Sequence, residues 1–202
     1  MKTNYTIVPL TQQLIKDVAN IHSESLPDDF LPNLGFDFLV ETFYPSTLRS
    51  DRGKVFIAVD ENSNPEGFVL VTVNSGDFLK GILKDRLLDF LKVGIRSSFS
   101  SFSNFFNNFQ IVISGLFSTT TQNAGEIYVI AVKNSSQGKG IGKLLVNKSI
   151  EFLQECGIHV IRIKTLESNI KWIGFFKKNG WETEKEFHLI GNNYVSLFAE
   201  ID

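Results

Sequence analysis

The stretch that decides the fold reads Glu126-Ile127-Tyr128-Val129-Ile130-Ala131-Val132-Lys133-Asn134-Ser135-Ser136-Gln137-Gly138-Lys139-Gly140-Ile141-Gly142-Lys143. Residues 126–132 are dominated by β-branched and apolar side chains, the composition of a strand. Residues 142–156 place Leu144, Leu145, Ile150 and Leu153 on one helical face. A strand therefore runs through a glycine-rich turn into a helix N-terminus. That arrangement aims backbone N–H groups and the positive end of the helix dipole at one spot, where a pyrophosphate binds. Glycine suits such a loop because side chains would block the anion's approach or forbid the turn.

Elements of both kinds continue outward from this core. On the C-terminal side, Val160–Lys164 is expected as a strand and Asn169–Lys178 as a short helix, followed by a closing hairpin of Phe187–Ile190 with Tyr194–Ile201. On the N-terminal side, Tyr5–Leu10 reads as an edge strand ending near Pro9, and Thr11 as the N-cap of a helix through Ser25. The Pro27–Pro32 segment breaks that helix, and Phe36, Leu39, Val40 and Phe43 begin another expected to stop at Pro45. Val55–Val59 and Gly67–Val73, joined by Asp60-Glu61-Asn62-Ser63-Asn64-Pro65, read as an antiparallel hairpin. The fold class expected is α/β (α+β), with a mixed, mostly antiparallel sheet of about seven strands flanked by helices.

Composition bounds the function. With 202 residues, 43% hydrophobic and 21% charged, the chain suits one globular domain with a full core. A formal charge of −2 supplies no global basic field, so wholesale nucleic-acid binding is disfavoured. Cys156 is the single cysteine, which excludes an intrachain disulfide and a cysteine-based metal cluster, and the expected compartment is cytoplasmic. Residues 1–6 lead into a short strand-like run, so a signal peptide is not expected, and no stretch of about 20 apolar residues able to span a bilayer occurs in the sequence. No metal is expected.

Three kinds of glycine loop compete for residues 137–143. A P-loop requires Lys-Ser/Thr after its last glycine, and here Gly142-Lys143 is followed by Leu144. A dinucleotide site wants an acidic residue about 20 positions on, at the end of the next strand; Ile161-Arg162-Ile163-Lys164 supplies none. The remaining reading, Gln-x-x-Gly-x-Gly as Gln137-Gly138-Lys139-Gly140-Ile141-Gly142, resembles the pyrophosphate loop of the GNAT acetyltransferase superfamily. The resemblance extends to Asn169 and the later run Phe175-Phe176-Lys177-Lys178-Asn179-Gly180-Trp181, which matches that superfamily's asparagine, aromatic pair and Gly-aromatic in order. It is strong over residues 124–182 and consistent in element order over residues 1–73.

The resemblance implies an N-acetyltransferase that moves an acetyl group from acetyl-CoA to a primary amine of a small molecule or peptide, by direct attack in a ternary complex. It further implies that backbone groups of Ile130 and Val132 pair with the pantetheine arm as an added strand, and that Ala131 and Phe176 are also among the cofactor-binding residues. Gln137, Gly138, Lys139, Gly140, Ile141, Gly142 and Lys143 would hold the pyrophosphate, and Asn169 the pantetheine. Phe176 stands where many family members carry a tyrosine that protonates the leaving thiolate. Phenylalanine has no proton to give. This departure sustains an alternative, a catalytically impaired acyl-CoA-binding sensor.

The candidate catalytic residues are Glu126 as base, Tyr128 as a water-orienting or proton-donating group, and Tyr194, with His188, as alternative acids in the closing hairpin. Strand periodicity predicts Glu126, Tyr128, Ile130 and Val132 on one face. Cys156 reads as a buried small hydrophobe, and Asp28 and Asp29 as solvated carboxylates whose alternative role is to face a cationic substrate. Residues 76–122 have no counterpart in the minimal fold and read as a helical insertion between the third and fourth strands. Its segment 77–96 combines an apolar face with Lys80, Lys84, Arg86, Lys92 and Arg96. Such a face can cover the active-site mouth, pair with a second copy as a homodimer, or make peripheral contact with an anionic membrane surface.

Overall fold

The computed structural model describes residues 4–27, 29–84, 124–189 and 191–201, with the side chain of Phe30 left aside. Most of the expected insertion, residues 85–122, lies outside the described residues, as do Asp28 and Ile190.

A seven-stranded sheet has the order β1-β2-β3-β4-β5-β7-β6. The strands are β1 (Thr6–Pro9), β2 (Gly53–Val59), β3 (Pro65–Thr72), β4 (Ala124–Val132), β5 (Val160–Leu166), β6 (Glu182–Leu189) and β7 (Asn192–Glu200). Every neighbouring pair is antiparallel except β4 and β5, which run parallel. The helices are α1 (Ile15–Ser25), α2 (Phe30–Asn33), α3 (Phe36–Phe38), α4 (Tyr44–Arg49), α5 (residues 75–84), α6 (Ile141–Glu155) and α7 (Ile170–Lys178).

Alternate residues of the inner strands feed two cores, one on each face of the sheet. Val55, Ile57, Phe68 and Leu70 pack under α1 and α4 with Phe78 of α5, whereas Ala58, Val69 and Val71 pack under α6 and α7. Helix α6 presents Ile141, Leu145, Ser149 and Leu153 to the sheet, a spacing of four that keeps one face buried.

Several local expectations are corrected. Thr11 has extended backbone but makes no side-chain cap bond, and a 3-10 turn at Gln12–Leu14 leads into α1 instead. Pro45 does not stop the second helical segment. A π turn at Leu39–Phe43 ends with the Tyr44 N–H bonded to the Leu39 carbonyl, and Pro45 sits in the first turn of α4, where its missing N–H costs little. Cys156 is exposed at the end of α6, because Leu153 takes the inward position of the last turn. Strand β6 begins at Glu182, well before Phe187; its outer residues are charged and exposed, which hides a sheet edge from hydrophobic patterning.

Candidate active site

The site begins with an irregularity in β4. Leu70 pairs with Val129 and Val71 with Ile127, so Tyr128 is an extra residue bulged out of the ladder. The bulge reverses which side chains face which layer. Val129 and Ala131 join the core under α1, and Tyr128 packs against it, whereas Ile127, Ile130 and Val132 join the core under α6. The expectation that Glu126, Tyr128, Ile130 and Val132 share a face is therefore wrong. Strict alternation fails at a bulge, and Glu126 and Tyr128 lie on the side of α1 and α5.

The same bulge opens the sheet. Strands β4 and β5 are in register only from Ala124 with Val160 to Ile127 with Ile163. Beyond that point β4 keeps its partner β3, and β5 keeps β7 through Leu166 opposite Tyr194. A wedge separates the two parallel strands. The Lys133 N–H donates to the Glu66 carbonyl at 3.0 Å, so Lys133 is turned toward β3 and antiparallel alternation turns the peptide groups of Ile130 and Val132 away from it. Those groups point into the wedge. Among the described residues, the Val132 carbonyl there accepts long contacts from Ser25 Oγ and Gln137 Nε2, each at 3.4 Å.

At the wide end of the wedge lies the glycine loop. After a 3-10 turn at Asn134–Ser136 the chain passes through Gly138 at φ 80° and Gly140 at φ 87°, and Gly140 caps α6. The left-handed backbone at Gly140 disfavours any residue with a Cβ. Gly142 is constrained differently: a Cβ there would lie 3.2 Å from Cη2 of Trp172, whose indole leans over the first turn of α6 from α7. The loop is braced from beneath by Glu66, which accepts from Ser136 Oγ and pairs with Lys133 Nζ at 3.2 Å. Lys139 and Lys143 flank it and are solvent-facing or partly so, while Lys171 Nζ donates to Gln137 Oε1 at 2.5 Å.

Asn169 stands at the N-cap position of α7 but makes no side-chain cap bond; its amide donates to Thr165 Oγ1 at 3.3 Å. Phe176 has no exposed surface and packs against Trp172, Phe175 and Trp181, with ring centroids 5.6, 5.2 and 4.6 Å away. It presents no surface to a cofactor in this structure. Its ring instead supports Trp172, and through Trp172 the loop.

Glu126 is 5% exposed, accepts from Ser75 Oγ at 2.5 Å and pairs with Lys164 Nζ at 3.1 Å. Its negative charge is thus already balanced. Tyr128 is partly buried, its ring 5.8 Å from that of Phe78, and burial followed by the charge of Glu126 pushes its hydroxyl pKa well up. Tyr194, across the wedge, stacks on Phe187 at 5.5 Å, and burial raises its pKa too. His188 is exposed and bonded to Asn193, away from this cluster.

A further group escaped the sequence reading. Buried His22 of α1 has its Nδ1 2.8 Å from the Tyr44 hydroxyl and its Nε2 3.3 Å from Asp29 Oδ2. Asp29 is not simply a solvated carboxylate, because a fully buried imidazole holds it. The signal was absent from the sequence, where Asp29 lies seven positions after His22 and Tyr44 belongs to another helix.

The family model for the acetyltransferase (GNAT) family matches residues 15–181. The chain belongs to the GNAT family. Among curated GNAT-like relatives, a mycothiol acetyltransferase of Pseudarthrobacter chlorophenolicus is 33% identical over 57 residues, which are 28% of this chain and 18% of the relative. An N-acetyltransferase of Chlorobaculum tepidum is 41% identical over 68 residues, 33% of this chain and 41% of the relative. The matched segments thus span less than half the length of these relatives. Among solved structures, the ribosomal-protein-S18-alanine N-acetyltransferase from Escherichia coli superposes with a TM-score of 0.62 at 12% identity, covering 98% of this chain and 95% of the other. Spermidine N-acetyltransferase from Vibrio cholerae in complex with CoA and spermine gives 0.63 at 14% identity, again covering 98% and 95%. At such identities these structures share the GNAT fold with this chain. Among the described residues no helix is long and apolar enough to cross a membrane.

Proposed function

We propose that the protein is an acetyl-CoA-dependent N-acetyltransferase that acts on a primary amine of a small molecule or peptide, with both substrates bound together. The observation that carries this reading is the wedge between β4 and β5, with the Ile130 and Val132 peptide groups aimed into it and the glycine loop at its end. A pantetheine arm laid in the wedge completes the hydrogen bonding of β4 as a missing strand would. Its pyrophosphate then meets the N-terminus of α6, cradled by residues 137–143, with Lys139, Lys143 and Lys171 supplying positive charge. Asn169, free of a capping duty, turns its amide to the pantetheine.

The chemistry follows from what the two lips carry. The amine nitrogen attacks the thioester carbonyl carbon, a C–N bond forms, and the C–S bond breaks as the electron pair leaves on sulfur. Tyr128 and Tyr194 have raised pKa values, so each donates a hydrogen bond without surrendering its proton. Either hydroxyl can steady the departing thiolate. The proton that sulfur finally takes comes from the attacking amine, which makes the absence of a hydroxyl at Phe176 tolerable. Glu126, balanced by Lys164, orders the floor beside Tyr128 rather than acting as the base.

Acetyl-CoA mixed with an amine panel, with thiol release and acetylated product both measured, tests the proposal. Release of CoA in proportion to acetylated amine is the expected result. Phe176 favours one second reading, an acyl-CoA sensor, and tight CoA binding without transfer to any acceptor would establish it instead.

A further inference from the structure

The narrow end of the wedge carries an ion pair whose positive member faces outward. Ile127 and Ile163 are the last residues in register between β4 and β5, so Lys164 is the first residue of the β5 lip, as Tyr128 is of the β4 lip. Ile163 joins the core under α6, and alternation turns Lys164 to the opposite face, where its Nζ lies 3.1 Å from Oε1 and 3.3 Å from Oε2 of Glu126. The Glu126 side chain is 7% exposed and that of Lys164 27%. Ser75 Oγ closes the inner side by donating to Oε2. The carboxylate is enclosed and the ammonium is the accessible end of the pair. An ammonium has three hydrogens, and the Glu126 oxygens take at most two of them.

The reacting bond falls beside that ammonium when the acyl carrier lies in the wedge. The β4 lip from Tyr128 to Val132 is about 16 Å of extended chain. A pantetheine arm, with a backbone as long as about four extended residues, covers most of that length once its pyrophosphate end rests on the glycine loop. Its sulfur then lies near Tyr128 and Lys164. Neighbouring groups on this face are already matched or neutral. Arg162, two residues back along β5, pairs with Glu184 at 2.9 Å, and Ser196, opposite Lys164 in β7, donates to the same carboxylate. Tyr128 and Tyr194 keep their protons. Lys164 thus brings a positive charge to the narrow end.

We infer that Lys164 is a catalytic residue that holds the departing CoA sulfur as a thiolate, with Glu126 and Ser75 as positioning residues. This rests on the acetyl-transfer reading above. As the amine nitrogen forms its bond to the carbonyl carbon, the C–S bond breaks and its electron pair stays on sulfur; Lys164 Nζ donates a hydrogen bond to that sulfur and keeps its own proton. The proton lost by the nitrogen then passes to the thiolate. Charge develops on sulfur as the bond breaks, so a fixed ammonium favours the transition state over the neutral thioester. Glu126 supplies the fixing: a lysine stem is long and flexible, and the enclosed carboxylate holds its ammonium across the gap between the strands before substrate arrives. Stability alone is a poor reason for the pair, because an ion pair withdrawn from water often stabilises a fold no better than apolar side chains of similar size.

Bound CoA reports this charge without any turnover. The ultraviolet absorbance of its thiolate, recorded against pH with desulfo-CoA-loaded protein as the blank, is expected to give an ionisation midpoint below that of free CoA. In Lys164→Met the midpoint is expected to rise by about one pH unit or more, which is about a tenfold smaller thiolate fraction at a given pH. In steady state Lys164→Met is expected to lower kcat by about tenfold or more with KM for acetyl-CoA within about twofold, and Lys164→Arg to recover part of both effects. The single variant strands the Glu126 carboxylate, so Glu126→Gln combined with Lys164→Met, which removes both charges, is its companion. The double variant is expected to fold and to keep the raised midpoint and the low kcat. Return of the wild-type midpoint and rate in the double variant would make Lys164 a counter-ion alone and overturns the inference. The same midpoint in wild type and Lys164→Met overturns it too and leaves the acetyl-transfer reading standing, whereas CoA that fails to bind the wild type overturns both.

Discussion

Lys171 Nζ, on α7, lies 2.5 Å from Gln137 Oε1, at the entrance to the glycine loop. The contact ties the last short helix to the anion cradle and brings a positive charge beside the site proposed for the pyrophosphate. Replacing Lys171 by alanine should weaken CoA binding by about three- to tenfold at low ionic strength and by less at high salt, because exposed charges are screened. Titration calorimetry at two salt concentrations measures both. An affinity loss independent of salt would mean that the lysine acts by packing alone.

The two glycines at the start of α6 are constrained for different reasons and should fail differently. Gly140→Ala places a Cβ in left-handed backbone, at a cost of about 1–2 kcal/mol, and should reduce CoA affinity by reshaping the loop. Gly142→Val pushes on the Trp172 ring and should change indole fluorescence as well. CoA affinity unchanged in both variants would defeat the assignment of the loop.

Restoring a tyrosine at position 176 should not raise the rate. The side chain has no exposed surface, so a hydroxyl there would be buried without a partner, destabilising the fold by about 1–3 kcal/mol. Phe176→Ala, which opens a cavity, should cost about 3–5 kcal/mol. Chemical denaturation gives the stabilities and a thiol-release assay the rates. A marked gain in kcat for Phe176→Tyr would show that this ring turns toward the thioester during catalysis.

Arg162 of β5 pairs with Glu184 of β6 at 2.9 Å, and Ser196 of β7, the strand between them, donates to the other carboxylate oxygen at 2.9 Å. Burial alone would raise the Glu184 pKa, but these two partners outweigh it and the net shift is downward from 4.5. A carboxyl depressed in the folded state adds stability that is present above its unfolded value and is lost as pH falls through the folded one. Glu184→Gln should therefore lower stability at neutral pH and flatten the acid limb of the stability curve below about pH 4.5. Urea midpoints measured from pH 7 to pH 3 check it.

Most of the architecture was legible in residue order. The alternating runs at residues 55–59 and 67–73, the amphipathic helix after Gly140 and the apolar strand at residues 160–164 all carry periodic signals that short-range physics enforces. Edges were harder to see. Most of β6 is charged because one side of it faces water, and the turn at Leu39–Phe43 is hidden because a π turn leaves no hydrophobic period of its own. The glycine loop was visible because backbone conformation restricts its residue types; the bulge at Tyr128 was not, since one extra residue in a ladder is defined only by its partner strand.

Residue order by itself thus determined the mixed sheet, the strand-loop-helix unit and the residues that line the loop, because these depend on neighbours a few positions apart. Tertiary structure alone decided that Glu126 is enclosed by Ser75 and Lys164, that Phe176 is core, and that Asp29 is backed by His22 and Tyr44. Each of these pairings joins separate elements, and a side chain's burial, charge partner and hydrogen bonds exist only once those elements have packed. The strand, loop and helix at residues 126–143 mark where the acyl carrier is expected; what stands opposite it was decided by how α1, α4 and the sheet come together.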